Sequence, residues 1–159
     1  MWVTVMMSVL VVKADTIRRY LRRAAIVAEC SPDKETQVGA ILLSGNTRSV
    51  VSEGYNGFIR GATNENLPTT RPDKYQYMIH AETNLVCNAA RNQVSTLGGI
   101  VFITHTPCIN CIRLLYQAGI QEIYFSEEHA SFQVVRNSLD FTVQFTTESF
   151  YTKITIEPK

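Results

Sequence analysis

Two short stretches far apart in the chain carry complementary halves of one chemistry: His80-Ala81-Glu82, and Pro107-Cys108-Ile109-Asn110-Cys111. In the second, a proline stands just before two cysteines at i, i+3, and proline is favoured at the first position of a helix. If a helix begins there, both sulfurs lie on one face of its first turn. The positive end of the helix dipole favours the thiolates that zinc requires. Two thiolates make half of a tetrahedral zinc site, so a further ligand must come from elsewhere in the fold.

His80 is the best candidate for it. It precedes a helical run from Ala81 to Arg91 whose apolar positions Leu85, Val86, Ala89 and Ala90 recur at helical spacing. Residues two apart do not share a helix face, so His80 is expected to bind at the helix mouth while Glu82 faces the fourth, open position. A strand-like run, Ile100 to Thr104, connects the two halves. Three protein ligands and one open position describe a catalytic zinc, and a carboxylate beside it can move protons between water and a substrate nitrogen. Two other readings stand beside this one: a redox dithiol at Cys108 and Cys111, and a structural zinc that also recruits Cys30 and Cys87. The first lacks the usual neighbours of a redox motif, and the second lacks paired cysteine spacing. The combined H-x-E…P-C-x-x-C pattern is the signature of zinc-dependent nucleobase deaminases.

The rest of the chain is compatible with a single domain over residues 1–159, long enough to bury a core without disulfides. Fifteen basic against 14 acidic residues give a net charge of +1, which leaves no global footprint for nucleic acid or an anionic membrane. Four cysteines point to a reducing, cytoplasmic setting, the host cytoplasm if the source is viral. Met1 to Val12 is almost entirely apolar. It is too short to span a bilayer and lacks the pattern of a secretory signal. A buried strand or an interface segment is expected, with a start at Met6 or Met7 as the alternative.

Asp15 reads as the N-cap of a helix from Thr16 to about Cys30, with Ile17, Leu21, Ala24 and Ala28 as its apolar stripe. Arg18, Arg19, Arg22 and Arg23 read as a solvated face, with a triphosphate or partner contact as the alternative. Val38 to Leu43 and Ser49 to Glu53 read as an antiparallel pair about Gly45-Asn46. The pair delivers Gly54-Tyr55-Asn56-Gly57, whose glycines permit close approach to a ligand or simply make a turn. The polar stretch Phe58 to Gln76 is long for a loop and so functional or mobile. Beyond Cys111 the helix runs to a Gly119 cap. Glu122 to Phe125 is a strand, Ala130 to Leu139 a helix, and Phe141 to Ile156 one or two strands. This order predicts an α/β three-layer sandwich with a mixed five-stranded sheet flanked by helices.

These residues resemble the deoxycytidylate (dCMP) deaminases of the zinc-dependent cytidine deaminase superfamily, in particular the small viral and bacterial members. The resemblance runs from about Thr16 to His129. It rests on Thr36-Gln37-Val38-Gly39-Ala40, Gly54-Tyr55-Asn56-Gly57, Lys74 with Ile79-His80-Ala81-Glu82, and Thr106-Pro107-Cys108 with Cys111. It implies one Zn²⁺ per chain on His80, Cys108 and Cys111, with Glu82 as proton shuttle. It implies hydrolysis of dCMP to dUMP and ammonia, which feeds thymidylate synthesis. Asn56 would hold the sugar hydroxyl, the Ala81 backbone the base carbonyl, and the chain near Thr106 the exocyclic amine. Thr36 and Lys34 fall where the family meets the 5′-phosphate, and His129 where some relatives place an aromatic residue near substrate.

The same resemblance implies a homohexamer activated by dCTP and inhibited by dTTP, each carried with Mg²⁺. Tyr55, Gly57, Phe58, Arg60 and Asn64 are the effector-site candidates, and Arg91 the link to the active site. A deaminase acting on tRNA or single-stranded DNA shares the zinc motif but calls for a basic groove that the charge balance does not offer. A riboflavin-pathway or free-nucleoside deaminase is disfavoured by the Thr-Gln-Val-Gly-Ala and Gly-Tyr-Asn-Gly elements. A non-enzymatic zinc protein is opposed by the intact Glu82.

Overall fold

The computed structural model describes residues 11–127 and 138–159. His129, nearly all of the N-terminal apolar run and nearly all of the helix expected over 130–139 lie outside them. The apolar stripe expected for the first helix folds as helix α1, Ala14–Ala28, with Ile17, Leu21, Ala24 and Val27 buried. Its N-cap is Lys13, without a side-chain cap, and not Asp15. Asp15 sits in the first turn and accepts a hydrogen bond from Arg18 Nη1 at 3.0 Å, where its charge still complements the helix dipole.

The next elements are strands β1 (Gly39–Leu43) and β2 (Val50–Tyr55), helix α2 (Ala81–Arg91), strand β3 (Ile100–His105), helix α3 (Ile109–Gln117) and strands β4 (Glu122–Glu127), β5 (Phe141–Thr147) and β6 (Thr152–Pro158). The strands form one sheet in the order β2-β1-β3-β4-β6-β5. Only β3 and β4 are parallel, joined by the α3 crossover, and the other neighbours are antiparallel. The sheet has six strands, one more than the five expected. The terminal run folds as a full hairpin, because Phe141, Val143 and Ile154 all turn apolar side chains into the core and a single strand would leave part of that face open.

Both faces of the sheet centre are covered, which is why β1 and β3 read as continuous apolar runs. Ala40, Leu42, Val101 and Ile103 face α2 and α3, where they meet Leu85, Ala89, Ile112 and Leu115. Ile41, Leu43, Ile100 and Phe102 face α1, where they meet Ile17, Leu21 and Ala24. The layers touch backbone to backbone at two glycines. A Cβ on Gly39 would lie 2.1 Å from the Ala24 carbonyl oxygen, and one on Gly54 would lie 2.4 Å from Leu85 N and 2.5 Å from the Ala81 carbonyl oxygen. The close approach at Gly54 is therefore to helix α2 and not to a ligand. No helix among the described residues is long and apolar enough to cross a membrane.

Candidate active site

Helices α2 and α3 both begin at the C-terminal edge of the parallel pair β3/β4, the place where α/β sheets present ligand sites. Cys108 is the N-cap of α3, and its sulfur accepts a hydrogen bond from Cys111 N at 3.4 Å. Pro107 thus precedes the cap and does not open the helix. His80 is the N-cap of α2. It is held from behind by a two-bond bridge: Gly57 N donates to the Ile79 carbonyl at 3.0 Å, and Ile79 N donates to the Gly57 carbonyl at 2.7 Å.

These two caps bring the expected ligands together. The donor atoms of His80, Cys108 and Cys111 lie within 4.8 Å of one another. His80 Nδ1 is 3.7 Å from Cys108 Sγ and 3.4 Å from Cys111 Sγ. A tetrahedral zinc with Zn–S near 2.3 Å and Zn–N near 2.0–2.1 Å has S···N edges of about 3.5–3.6 Å. The two observed edges straddle that value, so the donor set fits the ion. The proton chemistry agrees. The hydrogen bond from Cys111, with help from His80, pulls the Cys108 thiol down to about 4. The same sulfur–sulfur contact and burial push Cys111 up. Zinc binds the thiolate form, so a dication would displace any proton left on the pair. The Cys108 contact also raises His80 above its ordinary value, against the effect of burial.

Glu82, on the first turn of α2, is 4% exposed. Burial raises its carboxyl above the ordinary value despite the nearby His80 charge. A carboxyl raised by burial is the kind of group that general acid/base catalysis employs.

The pocket that holds His80, Glu82 and Cys108 is also lined by Ala81, Thr106, Asn56 and Thr36. Thr106 is fixed at its rim by two donations to the Glu127 carbonyl, from its amide at 2.9 Å and its hydroxyl at 3.3 Å. Asn56 is oriented by its bonds. Its Nδ2 donates to Asp33 Oδ2 (3.2 Å) and the Thr36 carbonyl (2.9 Å), and its Oδ1 accepts from Val38 N (2.8 Å). Both amide hydrogens are used, so Asn56 can only accept from a ligand.

Lys34 is exposed and is not among the pocket residues. The cations that do line the pocket are Arg71 and Lys74. Lys74 is buried against Asp33, with Nζ 2.9 Å and 2.7 Å from the two carboxylate oxygens. Arg71 donates from Nε to Tyr75 Oη (2.7 Å) and from Nη2 to Thr36 Oγ1 (3.0 Å). Arg71 and Tyr75 were not site candidates in the sequence, where they sit in a polar stretch with no periodicity. Lys74 stood only as part of a motif. The Lys-Tyr pair four residues ahead of the Ile-His-Ala-Glu element was the one signal that could have drawn the loop into the pocket.

The effector-site candidates come together elsewhere. Tyr55, Gly57, Phe58, Arg60 and Asn64 line a second cleft of about 580 Å³, with Asn84, Asn88 and Arg91 of α2 as part of its wall. Arg60 Nη2 donates to Asn88 Oδ1 at 2.9 Å, and Asn88 Nδ2 donates to the Glu53 carbonyl at 2.8 Å.

A layered α/β sheet that converges a histidine, two cysteines and a buried glutamate from two helix N-termini has the architecture of a zinc-dependent deaminase. The chain belongs to the cytidine and deoxycytidylate deaminase family, whose zinc-binding region matches residues 14–127. It is 32% identical over 115 residues to human deoxycytidylate deaminase, a match that covers 69% of this chain and 63% of that one. An uncharacterized deaminase in the luxG 3′ region of Aliivibrio fischeri is 34% identical over 115 residues, covering 72% of this chain and 75% of the relative. Among solved structures, dCMP deaminase from the cyanophage S-TIM5 superposes with a TM-score of 0.65 at 29% identity, covering 78% of this chain and 92% of that chain. The same phage enzyme in complex with dCMP and dUMP gives a TM-score of 0.65 at 27% identity, covering 76% and 88%.

Proposed function

We propose that this protein hydrolyses dCMP to dUMP and ammonia. The observation that carries the reading is a single pocket with the His/Cys/Cys cluster and a buried carboxyl in one part and two cationic side chains in another. Zinc, when bound, supplies a Lewis acid that activates water toward C4 of the base. His80, Cys108 and Cys111 would hold it. Glu82 moves the protons: it takes one from water and delivers it to the departing amine. The Ala81 amide meets the base carbonyl, and the chain at Thr106 meets the exocyclic nitrogen. The sugar hydroxyl donates to Asn56 Oδ1, the one capacity that amide has left. Arg71 and Thr36 take the phosphate, with Lys74 behind them, in place of the exposed Lys34. The phage relative's complex with dCMP and dUMP supports this choice of substrate. The dUMP formed would serve thymidylate synthesis, and a reducing compartment, the cytoplasm, suits the exposed free thiols of Cys30 and Cys87.

Regulation belongs to the same proposal. A triphosphate with Mg²⁺ would bind the second cleft, with Arg60 pairing the phosphates and Phe58 or Tyr55 facing the base. dCTP would activate and dTTP inhibit, in a homohexamer.

A panel of cytosine, deoxycytidine, dCMP, CMP, dCTP and a short single-stranded DNA, assayed for ammonia release with and without dCTP, tests the substrate. Turnover of dCMP at least tenfold more efficient than deoxycytidine is expected, since one charge-assisted contact is worth about 1.5–3 kcal/mol. Equal efficiency on the free nucleoside would refute the monophosphate reading.

A further inference from the structure

We infer that Glu35 is an internal competitor for the phosphate-binding cations, so that this residue sets how tightly the pocket holds a phosphomonoester. The inference rests on the monophosphate reading above. Glu35 Oε2 accepts from the Arg71 main-chain N–H at 2.8 Å, lies 3.1 Å from Lys74 Nζ and stands 3.5 Å from Arg71 Nη1. Amide N–H, ammonium and guanidinium converging on one oxygen is the donor set of a phosphate subsite. Here a carboxylate of the protein already takes it.

Asp33 and Glu35 touch the same lysine but differ in kind. The Asp33 side chain is 2% exposed. It also accepts from the amides of Glu35 (2.8 Å) and Thr36 (3.0 Å) and from Asn56, so it is built into the loop. The Glu35 side chain is 32% exposed and is held by Oε2 alone in the contacts above. It can swing out without breaking the loop. Charge points the same way. Arg71 and Lys74 face Asp33 and Glu35, two cations against two carboxylates, so their formal charges cancel. A phosphate dianion gains net attraction only when the Glu35 charge leaves the cluster, and like charges held side by side oppose binding.

Glu35→Gln keeps the size of the side chain and removes the charge. Competitive inhibition by inorganic phosphate against dCMP is the direct readout, and the thermal shift produced by inorganic phosphate reads the same contact without turnover. Both the inhibition constant for phosphate and the KM for dCMP should fall about two- to fivefold, the range expected for one partly exposed charge. The preference in kcat/KM for dCMP over deoxycytidine should rise. If Glu35 instead braces Arg71 in its binding posture, the same variant weakens phosphate, and that result overturns the inference. Unchanged phosphate inhibition and thermal shift overturn it as well. Glu35→Ala, which removes charge and brace together, must also tighten phosphate if charge is what matters. Should the unaltered protein fail to deaminate dCMP, or phosphate fail to compete with it, the substrate reading fails and takes this inference with it. If the unaltered protein behaves as a dCMP deaminase and only the Glu35 variants miss, the Glu35 assignment alone is lost.

Discussion

His80 and Cys108 occupy the same position, the N-cap, of two different helices, and their ligand atoms stand 3.7 Å apart. Each helix thus points its partial positive charge at the same few ångströms of space. Backbone geometry, more than side-chain length, decides where the metal ligands meet.

Ligand and proton shuttle should separate by mutation. Cys108→Ala or His80→Ala is expected to lose both zinc and activity. Glu82→Gln should keep zinc while turnover falls roughly a hundredfold or more, the scale of lost general acid/base catalysis. Elemental analysis of each purified variant alongside ammonia release decides the matter, and a zinc-free Glu82→Gln protein would contradict the role given to that carboxyl.

The Asp33–Lys74 pair should matter more to stability than its position in a loop implies. Removing Lys74 strands the buried Asp33 charge, and removing Asp33 leaves Lys74 only the partly exposed Glu35. The cost is up to about 3–5 kcal/mol, or roughly 6–20 °C in Tm for a chain of this size. Asp33→Asn and Lys74→Met should each show that loss, and the double variant should recover part of it. The pH dependence has a definite sign. Burial alone would raise Asp33, but the Lys74 hydrogen bond and the amides of Thr36 and Glu35 hold it below its ordinary value of 3.8. A depressed carboxyl contributes stability that is present above 3.8 and is lost as pH falls through the lower folded value. Thermal denaturation from pH 6 down to about pH 2 should show an acid limb that Asp33→Asn flattens.

Gly54→Ala should harm the site without touching a substrate. The added methyl would meet the backbone of α2 at Leu85 and Ala81, and backbone cannot rotate away as a side chain can. Overpacking of this kind costs about 1–3 kcal/mol. The helix that yields carries His80 at its tip, so zinc affinity is expected to fall along with Tm. A variant with lower Tm and unaltered zinc retention would show that α2 absorbs the strain away from its N-terminus.

For the second cleft, saturation curves for dCMP titrated with dTTP and Mg²⁺ should turn sigmoidal and shift toward higher substrate. A coupling of about 1–3 kcal/mol corresponds to roughly five- to a hundredfold in affinity. Arg60→Ala should weaken the shift, because Arg60 is the proposed phosphate contact there and its bond to Asn88 ties the loop to α2. Curves that dTTP leaves unchanged would mark an enzyme without this control.

The metal cluster was legible in the sequence because its determinants are local: a cysteine pair one turn apart, a proline ahead of it, and a histidine at a helix mouth. The layered core was legible for a related reason, since β1 and β3 are short apolar runs between turn signals. The proposed phosphate wall was not. Arg71 reaches Thr36 across 35 positions and Lys74 reaches Asp33 across 41, and no periodicity links such partners. Lys34, a phosphate candidate through the family resemblance, lies exposed outside the pocket while Asp33 beside it turns inward to pair with Lys74. The extra strand escaped for a subtler reason. Alternation from Phe141 to Ile156 fixes which side chains face inward but not how many times the chain reverses, and the turn at Glu148 carries neither glycine nor proline.

The bridge between Gly57 and Ile79 joins two surfaces that look unrelated. On one side of this rung stands Phe58 in the second cleft, and on the other stands His80 among the metal ligands. The link between them is a single pair of backbone hydrogen bonds. The Ile79 amide is therefore a natural listening post: its exchange with solvent would register a ligand arriving at either surface.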